Sequence, residues 1–238
     1  DKKNALQIIK NVKSNISLPF GIKTRIGLDQ KDKDEQKNLI LQASKYCDMI
    51  SIHGRTVKQQ YGGEVDRDFI KQIKSEIGDE CKIIGNGGIK SYEQIFSQSI
   101  GLDGIMVGQS AIGNPRIFTN HMPSIQEKKE ILLQHLDLMI AQDIYRHLEK
   151  IRIGKTKSDK KITIQMPSIQ DLKNLINLFK KNISDYDEII YKTLIEFRKH
   201  LFCYVKGMSD SKVFKSDIIN AKNYSQLTES INIFFQID

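Results

Sequence analysis

No stretch of this chain approaches the roughly 20 consecutive apolar residues that cross a bilayer, which excludes a helical membrane span. No signal-peptide pattern opens it. Tryptophan is absent and there are three cysteines. Cys47, Cys81 and Cys203 are far apart, odd in number and without Cys-x-x-Cys spacing, so neither a zinc site nor a disulfide framework is expected. They fit a reducing compartment, and a cytoplasmic protein without a structural metal is expected. An initial methionine is missing as well. The chain starts at Asp1, inside a helical pattern with Ala5, Ile8, Ile9, Val12 and Ile16 on one stripe, as expected of a processed or truncated protein.

At 238 residues and 39% hydrophobic, the chain can bury a real core in one or two domains. Its net charge of +8 favours a polyanionic partner, although the richness in Lys, Asn and Ile that AT-rich coding gives accounts for it equally well.

Four strand patterns in the first half each end in a polar or glycine signature: Lys23-Thr24-Arg25, His53-Gly54-Arg55-Thr56, Asn86-Gly87-Gly88 and Gly108-Gln109. From 23 to 53 to 86 to 108 the steps are 30, 33 and 22 residues, room for one helix and two turns each. That is the rhythm of a (β/α)₈ barrel, whose chemistry sits at the strand C-termini. The strands are expected over Pro19–Ile26, Met49–His53, Lys82–Gly85 and Gly104–Val107, with a solvated loop over Asp29–Asp34. Leu39, Ile40, Ala43 and Cys47 face inward from the first intervening helix. Asp66 caps a helix burying Phe69, Ile70, Ile73 and Ile77, and Ser91 with Gln94 forms a capping box. Asn114-Pro115 starts a short helix. Beyond Phe118 the alternation gives way to long helical patterns. Ser124 and Glu127 form a second capping box, ahead of Ile131, Leu132, His135, Leu136 and Met139 on one stripe. Ile189, Ile190, Thr193, Phe197, Leu201 and Val205 mark another helix. The expected fold is therefore α/β, a partial (β/α)₈ barrel over residues 1–120, followed by an all-α helical domain over 121–238. Polar, lysine-rich Lys150–Lys161 reads as a loop or insertion, within an unrecognised stretch over 150–184.

Asn86-Gly87-Gly88-Ile89 lies where a strand turns into a helix. Two adjacent glycines allow positive φ and close approach of a ligand, and their N–H groups beside a helix N-terminus make an anion site. A tight turn that simply needs glycine explains the motif equally well by itself. Gly108 ends the following strand, so two consecutive strands offer backbone donors to one place, as in barrel phosphate sites. Lys23 can point into the barrel mouth, toward an anion or a barrel carboxylate. His53 is either a ligand contact or a satisfied core histidine.

Together, His53-Gly54-Arg55-Thr56, Asn86-Gly87-Gly88-Ile89, and Gly104-Ile105-Met106-Val107-Gly108 through Gly113-Asn114-Pro115 resemble the tRNA-dihydrouridine synthases. Gly21-Ile22-Lys23-Thr24-Arg25-Ile26-Gly27 looks like that family's strand 5 motif, which makes the four strands numbers 5 to 8. Phe197-Arg198-Lys199-His200-Leu201 with Tyr204 and Lys206-Gly207 looks like its tRNA-contacting helix. The resemblance implies an FMN-dependent barrel with a helical tRNA-binding domain, reducing particular tRNA uridines to 5,6-dihydrouridine with NADPH as reductant. On that template Lys23 and His53 contact the flavin ring or ribityl chain, and Asn86, Gly87, Gly88, Gly108 and Gln109 hold its phosphate. Arg55, Arg198 and Lys199 face the tRNA, and the whole protein is a monomer. The family's proton-donating cysteine, in an Asn-x-Gly-Cys-Pro motif after strand 4, has no counterpart among Cys47, Cys81 and Cys203. It is expected upstream of Asp1, and this portion alone is expected to be inactive. Gln109 stands where the family usually has arginine, and Gly88 where an acidic residue is common. Two other readings are another FMN barrel, such as a dihydroorotate dehydrogenase, and a noncatalytic tRNA-binding protein built on this scaffold.

Overall fold

The computed structural model describes residues 1–155, 174 and 186–236. Four strands, β1 (Gly21–Arg25), β2 (Met49–His53), β3 (Lys82–Asn86) and β4 (Gly104–Met106), form one parallel sheet in the order β1-β2-β3-β4. Helices α1 (Lys2–Ser14), α2 (Lys33–Ala43), α3 (Arg67–Ile77) and α4 (Tyr92–Ser99) precede or separate them. The helical region comprises α5 (Ile125–Lys155), α6 (Tyr186–Tyr204), α7 (Ser211–Asn220) and α8 (Tyr224–Phe234). The chain divides into two compact units. One contains Asp1–Ala111 and Arg116–Asn120, the other Ile112–Pro115 and the chain from His121.

In the first unit, parallel pairing and the period of two along a strand sort the side chains onto two faces. Ile50, Ile52 and Ile83 face the helices and share a buried core with Ile9, Ile40, Ala43, Phe69, Ile70, Ile73 and Ile77. Asp66 accepts from the Phe69 amide at 3.0 Å, and Lys33 donates to its other oxygen at 2.7 Å. Burial works to raise the Asp66 pKa, but these two partners hold it below the usual carboxylate range.

Several boundaries differ from the sequence expectation. Asp29–Asp34 is a 3₁₀ turn over Gln30–Asp32 running into α2, because Asp29 accepts from the Lys31 amide and Asp32 from Leu28. Of the α1 stripe, Ile9 is buried while Ile8 is exposed, and Ile16 lies past the helix end. Ser91 caps α4 by accepting from Gln94, yet the Gln94 side chain accepts from the Lys90 amide rather than from Ser91, so the box is offset by one residue. The turn after Pro115 is a 3₁₀ helix, Pro115–Phe118. Lys150–Lys155 continues α5 rather than opening a loop; the rest of that expected loop lies outside the described residues.

The second unit has its own core of Leu132, Leu136, Ile140, Ile144, Ile190, Leu194, Phe197, Leu201, Phe214, Ile218, Leu227 and Ile231. The Ser124–Glu127 box opens α5 with both bonds made, Glu127 N–H to Ser124 Oγ at 3.2 Å and Ser124 N–H to Glu127 Oε2 at 2.8 Å. The Ser124 amide and then His121 bring the Glu127 pKa down to about 2. Gly113 (φ +78°) lies so close to α6 that a Cβ there would come within 2.5 Å of the Cys203 carbonyl carbon. Gly207 (φ +84°) faces open space. Gly207→Ala is therefore expected to cost about 1 kcal/mol, the left-handed strain alone. Gly113→Ala adds overpacking against helix backbone and is expected to cost about 2–4 kcal/mol. Chemical denaturation of the two variants checks the difference, and equal losses would contradict the close packing of Gly113.

Candidate functional site

The sheet face opposite the helices carries the candidate residues. Register pairs Arg25 with His53, His53 with Asn86 and Asn86 with Met106, so one row at the strand C-termini reads Arg25, His53, Asn86, Met106. Lys23 pairs with Ser51, one step earlier on the same face. Lys23, His53 and Asn86 thus lie on one face of the sheet, and Arg25, which the sequence pattern does not single out, lies among them. Its signal was available, since residues two apart in a strand share a face.

Loops bind this end of the sheet into a rim. Arg25 donates to the carbonyls of Thr56 at 2.8 Å and Gln60 at 3.1 Å. Arg55 donates twice to the Gly63 carbonyl, at 3.1 and 2.8 Å. Gly54 is sterically required: a Cβ would meet Val65 Cγ1 at 2.6 Å and the Asp66 carbonyl at 2.9 Å. The Asn86 side-chain amide donates to the Met106 carbonyl at 2.9 Å, and Ser110 Oγ donates to the Ile89 carbonyl at 2.5 Å. The turns after β3 and β4 are thereby tied to each other.

Gly87 (φ +108°) and Gly88 (φ +72°) hold backbone conformations that favour glycine. A Cβ on Gly87 would strike His53, 2.6 Å from Cδ2 and 2.8 Å from Nε2. Gly108 and Gln109 are exposed on the neighbouring turn, and a Cβ on Gly108 would meet nothing within 4 Å. Arg67, the first residue of α3, donates from NH2 to the Gly87 carbonyl at 2.8 Å. It is a second residue that the sequence pattern did not single out. Its position directly after the Asp66 cap was the available signal.

His53 is 6% exposed, and its Nε2 is buried without a hydrogen-bond partner among the described residues. Burial first, then the charges of Arg25, Lys23 and Arg55, lower its pKa to about 4. Among the described residues, Lys23, Arg25, Arg55 and Arg67 form no ion pair with a carboxylate. The site is thus an uncharged imidazole among cations, beside a glycine turn, an arrangement whose charge suits an anionic, polar ligand.

The cysteines lie elsewhere. Cys47 and Cys81 are buried just before β2 and β3, at the opposite strand ends, and burial pushes the Cys81 thiol up to about 11. Cys203 is exposed on α6. In the helical unit, Arg198 NH2 donates to the Ala221 carbonyl at 2.9 Å, closing the end of α7, while Lys199 is exposed. No described helix is long and apolar enough to cross a membrane, and the described residues hold no cluster of metal-ligating side chains.

A family model described as dihydrouridine synthase (Dus) matches residues 1–182. The chain belongs to the dihydrouridine synthase family. A relative from Rickettsia typhi, named "Probable tRNA-dihydrouridine synthase", is 27% identical over 214 residues, covering 84% of this chain and 64% of the relative. The tRNA-dihydrouridine synthase B of Pseudomonas putida is 29% identical over 162 residues, 63% of this chain and 47% of its own. That of Pasteurella multocida is 32% identical over 146 residues, 55% and 42% respectively. The chain spans less than two thirds of the length of these relatives.

The folded pKa of His53 lies below its ordinary value of 6.5. Between those values the unfolded chain binds more protons, so the stability tied to His53 is present above about pH 6.5 and is lost as pH falls toward about 4. His53→Gln is expected to shrink the fall in thermal midpoint between about pH 7 and pH 5. An undiminished fall would remove His53 as its source.

Proposed function

We propose that this chain is the FMN-binding and tRNA-contacting portion of a tRNA-dihydrouridine synthase, which reduces uridine in tRNA to 5,6-dihydrouridine with NADPH as reductant. The observation that carries the reading is the unpartnered, buried Nε2 of His53 in the row with Arg25 and Asn86, beside the glycine turn that a Cβ would fill. In this reading residues 1–120 are strands 5 to 8 of a (β/α)₈ barrel and residues 121–238 the tRNA-binding helical domain of a cytoplasmic, monomeric enzyme.

The residues present fit a flavin mononucleotide. The backbone of Asn86, Gly87 and Gly88, with Gly108 and Gln109 on the adjacent turn, holds the phosphate; the open space at Gly108 leaves room for a close approach. Lys23 and His53 contact the ring system or ribityl chain. Bound FMN supplies a hydride for the C5–C6 double bond of the base. An uncharged His53 hydrogen-bonds a polar flavin atom without adding another charge, while Lys23 and Arg25 favour negative charge on that face.

Arg55, held on the Gly63 carbonyl, stands at the rim where a base leaving its stack would enter. Lys199 and Arg198 offer charge to tRNA phosphates, and Arg198 does so while bonded to Ala221. Proton donation to the base falls to a group other than Cys47 or Cys81, because both thiols are buried at the far strand ends with raised pKa values.

Purified protein is expected to carry visible flavin absorbance, and Gly87→Val to lose it, since any side chain there collides with His53. Mapping dihydrouridine in tRNA from a strain lacking the gene is expected to show at least one site reverting to uridine. An unchanged dihydrouridine pattern would overturn the enzymatic reading, and a colourless protein that still binds tRNA would favour a noncatalytic binder.

A further inference from the structure

We propose that Arg67 is a positioning residue that locks the Gly87–Gly88 turn with its amide edge facing outward, and so sets the preference of the site for a phosphate monoester. This rests on the FMN reading above and deepens it. With φ of +108° and +72°, the two glycines give the turn much freedom, and the peptide plane between them needs a partner to hold one orientation. Arg67 supplies that partner through the 2.8 Å bond from NH2 to the Gly87 carbonyl. No peptide bond here is cis. In a trans peptide the carbonyl and the following N–H point in opposite directions. Fixing the Gly87 carbonyl on Arg67 therefore turns the Gly88 N–H away from the arginine, and Gly88 is exposed.

The charge acts on the same peptide. The guanidinium sits behind it and polarises it, strengthening its N–H as an anion donor. Arg67 NH1 is buried without a partner among the described residues, so its charge is not cancelled by a carboxylate. Of the two carboxylates flanking it in sequence, Asp66 is taken by Lys33 and by the Phe69 amide, and Asp68 makes no ion pair with it. On the arginine side the turn is closed: a Cβ on Gly88 would lie 3.0 Å from Val65 Cγ2 and 3.5 Å from Arg67 NH2. Gln109 on the neighbouring turn is neutral, which leaves Arg67 as the cation bonded to the diglycine itself. A guanidinium also suits the task geometrically, since its planar fork holds an acceptor in one direction where an ammonium does not.

FMN and riboflavin differ only in the phosphate, so titrating each into the protein while following flavin fluorescence separates phosphate recognition from ring binding. Wild type is expected to bind FMN more tightly than riboflavin. Arg67→Met is expected to weaken FMN by about 10- to 100-fold, as the loss of a charge-assisted bond implies, and to leave riboflavin unchanged. Arg67→Lys, which keeps the charge but not the fork, is expected to fall between, and it alone decides the matter if Arg67→Met does not fold. A wild-type FMN-to-riboflavin ratio in the variants would overturn the inference. Equal weakening of both flavins would overturn it too, because it would mark a structural arginine. If wild type itself shows no preference for FMN, the failure lies with the phosphate reading of the glycine turn.

Discussion

Everything at the candidate site depends on the register of one parallel sheet. Because β1, β2 and β3 pair residue for residue, Arg25, His53 and Asn86 fall on a single line, with Met106 of β4 beside them. Ile50, Ile52 and Ile83 on the opposite face are sealed against three helices, and this fixes which way every alternate side chain must point. A slip of one residue in β1 would turn Lys23 and Arg25 toward the helices, and one in β2 would turn Ile50 and Ile52 toward the site. The hydrophobic face therefore enforces the polar row, and the chemistry is positioned by residues that take no part in it.

The arginines of the rim are held by carbonyl oxygens, not carboxylates. Arg25 is held by Thr56 and Gln60, Arg55 by Gly63 and Arg67 by Gly87. A carbonyl satisfies the hydrogen-bonding geometry of a guanidinium while leaving its net charge in place. Three carboxylates of this unit are paired with lysines instead, Asp29 with Lys58, Asp32 with Lys2 and Asp66 with Lys33. Those lysines neutralise acids, while Lys23 and the three arginines keep a positive field at the strand ends. Burial first, and then that field, disfavour the charged imidazole, so the His53 pKa lies below its ordinary range.

The strands, their parallel order and the caps at Asp66 and Ser124 were legible in the sequence because each rests on a local rule: alternation, a turn residue, a side chain reaching three residues ahead. Part of what was not legible depended on a partner distant in sequence. Arg25 follows Lys23 by two in its strand, yet only the pairing with His53 puts it in the row. Arg67 reads as an ordinary first-turn residue of a helix until its bond to Gly87, 20 residues on, is known. Asp29–Asp34 reads as a loop because it is densely charged, but two aspartates accepting from nearby amides bend it into a 3₁₀ turn. The Lys150–Lys155 stretch shows the limit of composition as a guide: lysine and arginine propagate a helix well, and α5 runs through them.

Arg198 shows how one side chain can serve the fold and a surface together. It lies on α6, where the sequence suggests a cation for tRNA, yet it donates to the Ala221 carbonyl at the C-terminus of α7. A helix C-terminus carries partial negative charge, so a guanidinium there stabilises α7 while remaining a cation. Its partner is again a carbonyl, so its charge also remains uncancelled by that bond. The same device thus operates in both units: arginines are fixed by backbone oxygens, orientation is secured without neutralisation, and positive charge stays available to an anionic ligand. Lys199 next to it is exposed and has the freedom that Arg198 has given up.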